Sequence, residues 1–100
     1  MVSGNLCIAA NGKIAPNSDA SYTFAYFTNL KKIDFGDCFD TSNVTDMSCM
    51  FVNCSSLTEL DLSSFNTSKL VNMSNMFSGC DALKNLIYSD SRILEVCRNR

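Results

Sequence analysis

Apolar residues recur along this chain with a period of 26 residues. Residues 39–64 and 65–90 align without a gap and are identical at eleven of 26 positions. Most of the shared positions are apolar, and they include Phe39/Phe65, Met47/Met73, Met50/Met76, Phe51/Phe77, Cys54/Cys80, Leu57/Leu83 and Leu60/Leu86. Self-similarity at such a period is typical of units that bury their apolar faces by stacking on one another. The pattern therefore predicts a solenoid.

Within the middle unit the apolar spacing changes once. The helical spacing i, i+3, i+4, i+7 begins at Met47 and ends at Cys54. Leu60 and Leu62 then alternate with polar residues, as in a half-buried strand. Each coil is predicted to run strand, turn, short helix, turn, with the strands forming a parallel sheet. The predicted core is Val44, Met47, Met50, Phe51, Cys54, Leu57, Leu60, Leu62, Phe65, Leu70, Met73, Met76, Phe77, Cys80, Leu83 and Leu86.

The flanks of the two clear units predict a third coil and two caps within a single domain, residues 1–100. Residues 17–38 read as a degenerate copy that matches the middle unit if one residue of slippage is allowed. Asn11-Gly12, a strong hairpin signal, lies inside residues 1–16 and predicts an N-terminal β-hairpin cap of Leu6 to Ala10 and Lys13 to Ala15. Residues 91–100 follow Ser89 and Asp90, either of which is a candidate N-cap, and predict an amphipathic C-terminal helix.

Charge and hydropathy exclude two classes of protein. The net charge is −2, and six acidic residues but no basic residue lie between positions 33 and 68. Because nucleic-acid binding needs a basic surface, we expect no nucleic-acid partner. No apolar run approaches the ~20 residues of a membrane span. The first 15 residues lack the basic and apolar regions of a signal peptide.

Six cysteines and no histidine limit the chemistry that the chain can carry. Cys54 and Cys80 occupy the same core slot, which favours buried free thiols, although a disulfide between stacked coils is geometrically possible. With no CxxC pair and no recognised calcium loop around Asp34, Asp37 and Asp40, we expect no metal site and no cofactor. No catalytic residue is predicted, because the cysteine nucleophile that an enzyme would need, Cys49, has no identifiable base.

The motif FxTSxVTxMSxMFxxCxxLxxLDLSxF, carried by residues 39–65, resembles the bacterial surface protein 26-residue repeat. That family was formerly listed as mycoplasma protein of unknown function and is grouped with BspA-like leucine-rich-repeat surface proteins. The resemblance is close over residues 39–90 and loose over 13–38. It implies a leucine-rich-repeat-like solenoid at a cell surface or outside the cell, with adhesion or protein binding as its role.

Two functions are compatible with these patterns. The first is a non-enzymatic module that binds a protein or glycan through exposed strand positions, namely Lys32, Asp34, Glu59, Asp61 and Ser63. The second is a structural spacer, or a fragment of a longer repeat protein, that stacks on further repeats. The recurring Ser, Thr and Asn residues are interpreted as partners of backbone groups in turns, with glycan binding as their alternative role.

Overall fold

The structure is a computed structural model that describes the backbone of residues 5–7 together with residues 15–36 and 39–98. Its strands are β1 (Asn5–Cys7), β2 (Lys32–Asp34), β3 (Glu59–Asp61) and β4 (Asn85–Ile87), and its helix is α1 (Ser91–Arg98). The strands form one parallel sheet in the order β1-β2-β3-β4. Chain order and spatial order of the strands therefore coincide.

The strand register follows the period of the sequence. Ile33 of β2 pairs with Leu60 of β3, which in turn pairs with Leu86 of β4. Ile33 and Leu60 are buried and Leu86 is half-buried, whereas Lys32 and Asp34 on either side of Ile33 are exposed. β2 and β3 thus turn their central apolar residue inward and their flanking residues outward, and β4 follows the same pattern with a half-buried centre, because successive side chains of a strand point to opposite faces.

The short helix predicted between Met47 and Cys54 is wrong. The backbone N–H groups of Met47 and Phe51 donate to the carbonyls of Asn72 and Met76 at 2.7 and 3.0 Å, so they bond to the next unit rather than within a helix. Alternate residues instead close tight turns, as in the 3.2 Å bond from the Met50 N–H to the Met47 carbonyl. Among the described residues, α1 is the one helix.

Left-handed backbone positions explain why no helix forms. Cys49 and Asn53 have φ values of 54° and 58°, and right-handed helices contain no such residues. The same pair of positions recurs as Tyr22 and Tyr26 in the first unit and as Asn75 and Gly79 in the last. We call residues 20–26, 47–53 and 73–79 the turn runs. Their successive turns direct residues i, i+3, i+4 and i+7 into the core. The buried residues therefore have the same spacing along the sequence as those of a helix.

The core lies between the sheet and the turn runs. Of the residues predicted for it, all but Leu86 are buried, and Leu86 packs against it in a half-buried position. Phe24, Phe51 and Phe77, one from each unit, form a stack with ring centroids 5.5 and 5.8 Å apart. Phe35, Phe39 and Phe65 form a second aromatic cluster. Ala20, Leu30 and Ile33 extend the core into the degenerate first unit.

Carboxylate and amide side chains close the corners between these elements. The Oδ1 atom of Asp46 accepts a 2.8 Å hydrogen bond from the Ser48 N–H, two residues on, and Asn72 does the same for Ser74 at 3.0 Å. The pattern recurs at Asp19, Asp34, Asp40, Asp61, Asn66 and Asp90. Such local bonds favour turns over helix. They support the interpretation as partners of backbone groups for Asn66 and Asn72, whereas Ser48 and Ser74 take part through their backbone N–H groups.

The two predicted caps differ in outcome. Helix α1 forms where the C-terminal helix was predicted, and its Ile93 and Cys97 are buried. The Asp90 carboxylate accepts a 2.9 Å hydrogen bond from the Arg92 N–H at the start of the helix. The predicted N-terminal hairpin falls largely on residues 8–14, which lie outside the described residues. Its described part, β1, pairs in parallel with β2.

Candidate functional site

The outer face of the sheet brings the predicted binding residues together. Lys32 and Asp34 flank the buried centre of β2, and Glu59 and Asp61 flank that of β3, so all four lie on the side of the sheet away from the core. The register places Lys32 beside Glu59. Ser63 follows two residues after Asp61 and extends the surface past the end of β3. We call this surface the strand face.

The strand face is concave rather than flat. It encloses an open depression of about 820 Å³, lined by all five predicted residues. Lys84, Asn85 and Ile87 line the depression as well, from the β4 side. A surface of this shape can hold an extended segment of a partner, whereas the walls are too open to enclose a small molecule.

An ion pair crosses the strand face. Lys32 Nζ lies 3.2 Å from Glu59 Oε1, and the two side chains are 54% and 44% exposed. Exposed pairs of this kind contribute ~0–1 kcal/mol because water and salt screen them. The pair therefore orders the two side chains only weakly, and either charge can be redirected to a partner.

The last residues of β2 and β3, Asp34 and Asp61, make their end of the strand face acidic. Asp61 Oδ1 accepts hydrogen bonds from the Ser63 hydroxyl at 2.6 Å and from its N–H at 2.9 Å, and these bonds lower the pKa of the Asp61 carboxyl. Asp34 makes the corresponding bond to the Gly36 N–H at 3.0 Å. Both carboxylates are therefore turned toward their own turns but keep exposed oxygen for a cationic group.

Ile87 is a part of the strand face that sequence reasoning did not single out. It pairs with Asp61 in the sheet register, yet 55% of its surface is exposed. The alignment of the two units could have indicated Ile87, because Ile87 takes the place of Asp61, a predicted binding residue. An exposed apolar residue beside carboxylates gives the surface one place where a partner can gain from desolvation.

The described residues contain no other group with evident chemistry. They include no set of three or more potential metal ligands. Asp34 and Asp40, considered for calcium, each cap a turn instead, and Asp37 lies outside the described residues. Cys54 and Cys80 are buried free thiols, and Cys49 is a partly exposed one. In the described part of the chain no helix is long and apolar enough to cross a membrane.

Comparison with known families assigns the chain. The sequence profile of the family described as "Mycoplasma protein of unknown function, DUF285" matches residues 18–92, which is three quarters of the chain. The chain belongs to this family. The DUF285 match contains β2, β3 and β4 and reaches the start of α1, so the whole strand face lies within it. No curated protein and no solved structure matches the chain.

Proposed function

We propose that this DUF285 chain is a short leucine-rich-repeat-like solenoid that acts as a non-enzymatic module for binding another protein. The observation that carries the proposal is the concave strand face, on which charged and apolar side chains are exposed together. Resemblance to BspA-like surface proteins adds the expectation that the partner is met at a cell surface or outside the cell.

The exposed groups of the strand face suit a protein segment better than a glycan. Asp61 and Glu59 offer acceptors for cationic side chains, and Ile87 offers an apolar contact in the same depression. Exposed carbohydrate-binding surfaces gain most from aromatic rings, and Phe35, the aromatic residue among the lining residues, is buried. A partner segment with a basic residue beside an aliphatic one would match this arrangement.

The test uses the purified chain, immobilised, to capture proteins from extracellular-matrix or cell-surface extracts. Captured proteins are identified by mass spectrometry and their binding is then measured with each variant. Glu59→Lys and Ile87→Lys are expected to abolish capture. Glu95→Lys, an exposed charge reversal on α1 away from the strand face, is the matched control and is expected to capture normally.

Circular dichroism of each variant confirms that the fold is intact. Binding that survives both strand-face substitutions would remove this surface from consideration. Treating the extract with glycosidases separates the two partner classes, since loss of capture there would identify a glycan and contradict a protein partner.

One observation favours the alternative of a structural spacer. The N–H groups of Met47 and Phe51 bond to the following unit, but those of Met73 and Phe77 have no acceptor within the described residues. The last turn run thus offers a row of donors that a further unit could satisfy. Sequencing the DNA on both sides of the reading frame decides this: adjoining repeat-coding sequence supports a spacer in a longer protein, and its absence supports a free-standing module.

A further inference from the structure

Hydrogen bonds from the turn runs to the following unit all run in one direction. Alternate N–H groups of the first turn run donate to carbonyls of the middle unit, as from Tyr22 to Ser48 at 3.3 Å. Those of the middle turn run donate to the last unit in the same way, as from Cys49 to Ser74 at 2.9 Å. Each of the two rows has four such bonds, of 2.7 to 3.3 Å. A turn run therefore donates to the unit that follows it and accepts from the unit before it.

The first and last units each keep one half of this pattern unused. We call the row of last-unit N–H groups that is equivalent to the donors of the middle unit the donor edge; its residues are Met73, Asn75, Phe77 and Gly79. These groups have no acceptor among the described residues. We call the equivalent row of first-unit carbonyls the acceptor edge; its residues are Asp19, Ser21, Thr23 and Ala25. No N–H group of the described residues donates to them. The two ends of the stack are therefore complementary.

Each edge presents a single kind of backbone group. The Ser74 carbonyl accepts from the preceding unit, and the Met73 carbonyl closes a turn by accepting from the Met76 N–H at 3.3 Å. On the acceptor edge the Thr23 N–H is likewise used within its own turn, where it donates to the Ala20 carbonyl at 3.4 Å. A β-strand presents N–H and C=O groups together along its edge, so it fits neither row. The structure that matches the donor edge is the acceptor edge of the same chain.

Exposed apolar side chains lie in the same two units as these edges. They are Tyr22, Tyr26 and Phe27 in the first unit and Val71 and Ile87 in the last. All but Ile87, which belongs to the strand face, lie in a turn run or within two residues of one. The middle unit, residues 39–64, exposes no large hydrophobic side chain to this extent. Contact between the two ends would therefore remove apolar surface from water, which favours association.

Helix α1 covers the core of the last unit and leaves the donor edge open. Its Ile93 and Cys97 are buried as part of the core. Ser74 and Asn75 on the last turn run are exposed, and Val71, just before the run, is 81% exposed. Because the helix occupies the core side of this end, contact with a second copy is confined to the turn runs. A small contact of this kind is weak.

We propose that the chain associates head to tail with further copies of itself, the donor edge of one copy bonding to the acceptor edge of the next. The contact repeats the ladder that the chain already forms twice between its own units. Because the two edges differ, every added copy leaves one edge of each kind free, and the assembly is open-ended. The turn runs lie across the core from the sheet, so the strand face stays uncovered. Self-association and binding at the strand face are therefore independent.

The first test measures the mass of the purified chain by sedimentation velocity at protein concentrations from about 10 µM to about 1 mM, the range that suits a weak contact. The mean mass is expected to rise throughout this range and to pass that of two copies, because an open-ended assembly has no preferred size.

The decisive variants place charges at facing positions of the two edges. Ser21 and Ser74 occupy the same slot in their units, so Ser74 of one copy would lie beside Ser21 of the next. Ser21→Lys with Ser74→Lys, and Ser21→Glu with Ser74→Glu, bring like charges together at every contact. Each double variant alone is expected to associate at least about tenfold more weakly than the parent. An equimolar mixture of the two pairs lysine with glutamate and is expected to recover the parent's mass.

The matched control is Ser55→Lys with Ser64→Lys, which makes the same change in net charge at two exposed positions of the middle unit. It is expected to associate as the parent does. Circular dichroism checks the fold of every variant, and recovery in the mixture shows independently that both charged variants are folded.

Three results would overturn the proposal. A parent that stays monomeric up to the highest concentration would leave the donor edge to water or to further units of a longer chain. A mass that levels off at two copies and is unchanged in the double lysine variant would indicate a symmetric dimer through another surface. A mixture of the lysine and glutamate variants that stays monomeric would show that the two edges do not meet.

Discussion

The Sγ atom of Cys80 lies 3.0 Å from the carbonyl oxygen of Phe51 and donates a hydrogen bond to it inside the core. One unit earlier, Cys54 makes the same bond to the Phe24 carbonyl, also at 3.0 Å. Both cysteines are completely buried. The thiol therefore serves as a small apolar side chain that also satisfies a backbone acceptor of the preceding turn run, which alanine or valine cannot do.

This arrangement predicts that the core thiols resist alkylation. Burial raises the pKa of Cys54, so the reactive thiolate is scarce at neutral pH as well as inaccessible. With iodoacetamide under native conditions, mass spectrometry should show modification of partly exposed Cys49 and none of Cys54 or Cys80. Adding 8 M urea should remove the difference. Native labelling of Cys54 as fast as that of Cys49 would contradict the buried assignment.

The 26-residue period sufficed to place the core, because a position that stays apolar in each unit has to face inward whatever the backbone does between units. It did not suffice to identify the local conformation of residues 47–54. A helix and a run of tight turns can both direct Met47, Met50, Phe51 and Cys54 to one side. The available signal was the recurring Asn or Gly, Asn53 and Gly79 in the same slot, which marks left-handed backbone rather than helix.

The candidate site could likewise be predicted from the sequence only in part. Alternation around Leu60 was enough to predict that Glu59 and Asp61 face solvent. The same alternation around Leu86 places Ile87 at the solvent-facing position of Asp61, although its hydropathy alone would assign it to the core. The positive φ of Tyr22 has no such signal in the sequence. The first unit also lies one residue out of step, since Ile33 and Leu60 are 27 residues apart while Leu60 and Leu86 are 26 apart. Once that slippage is allowed, Tyr22 aligns with Cys49 and Asn75, but a tyrosine at this position gives no sign of a positive φ.

Gly79 is predicted to be intolerant of a side chain. Its φ is +79°, and a Cβ there would collide with the Asn53 side chain of the preceding turn run. Gly79→Ala should therefore lower the free energy of unfolding by about 1–3 kcal/mol, measured by urea denaturation. Ser64→Ala, at an exposed turn position, is the control and should shift it by no more than about 0.5 kcal/mol. A Gly79→Ala protein as stable as the parent would show that the turn run can relax.

Thr41 makes a reciprocal pair of bonds between units. Its Oγ1 atom accepts from the Asn66 N–H at 2.9 Å and donates to the Asn66 carbonyl at 3.2 Å, and the residue is 1% exposed. Thr41→Val keeps the shape but leaves two backbone groups without a partner, so unfolding should become easier by about 1–3 kcal/mol. The control is Thr45→Val, which removes an exposed hydroxyl that lies 3.3 Å from the Ser18 carbonyl. Water can replace the hydrogen bond that this hydroxyl makes. Equal effects of the two substitutions in urea denaturation would refute this difference.

Asp90 joins the last unit to helix α1, and its ionisation should make stability depend on pH. Its side chain accepts from Arg92 Nη2 and the Thr67 hydroxyl, each at 2.7 Å, and the Arg92 guanidinium, the largest cause, holds the pKa of the Asp90 carboxyl well below its usual range. Arg92 in turn donates to the Leu70 carbonyl at 3.0 Å.

The sign of this pH dependence follows from the lowered pKa. The folded chain binds the Asp90 proton less readily than the unfolded chain, so the stabilisation is fully present above the unfolded pKa of ~4 and is lost as pH falls toward the lower folded value. Asp90→Asn should therefore be less stable than the parent at pH 7, by about 1 kcal/mol. The two proteins should converge as the pH falls from 5 toward 2, as measured by urea denaturation at each pH. A constant difference across that range would show that the Asp90 charge contributes nothing to the attachment of α1.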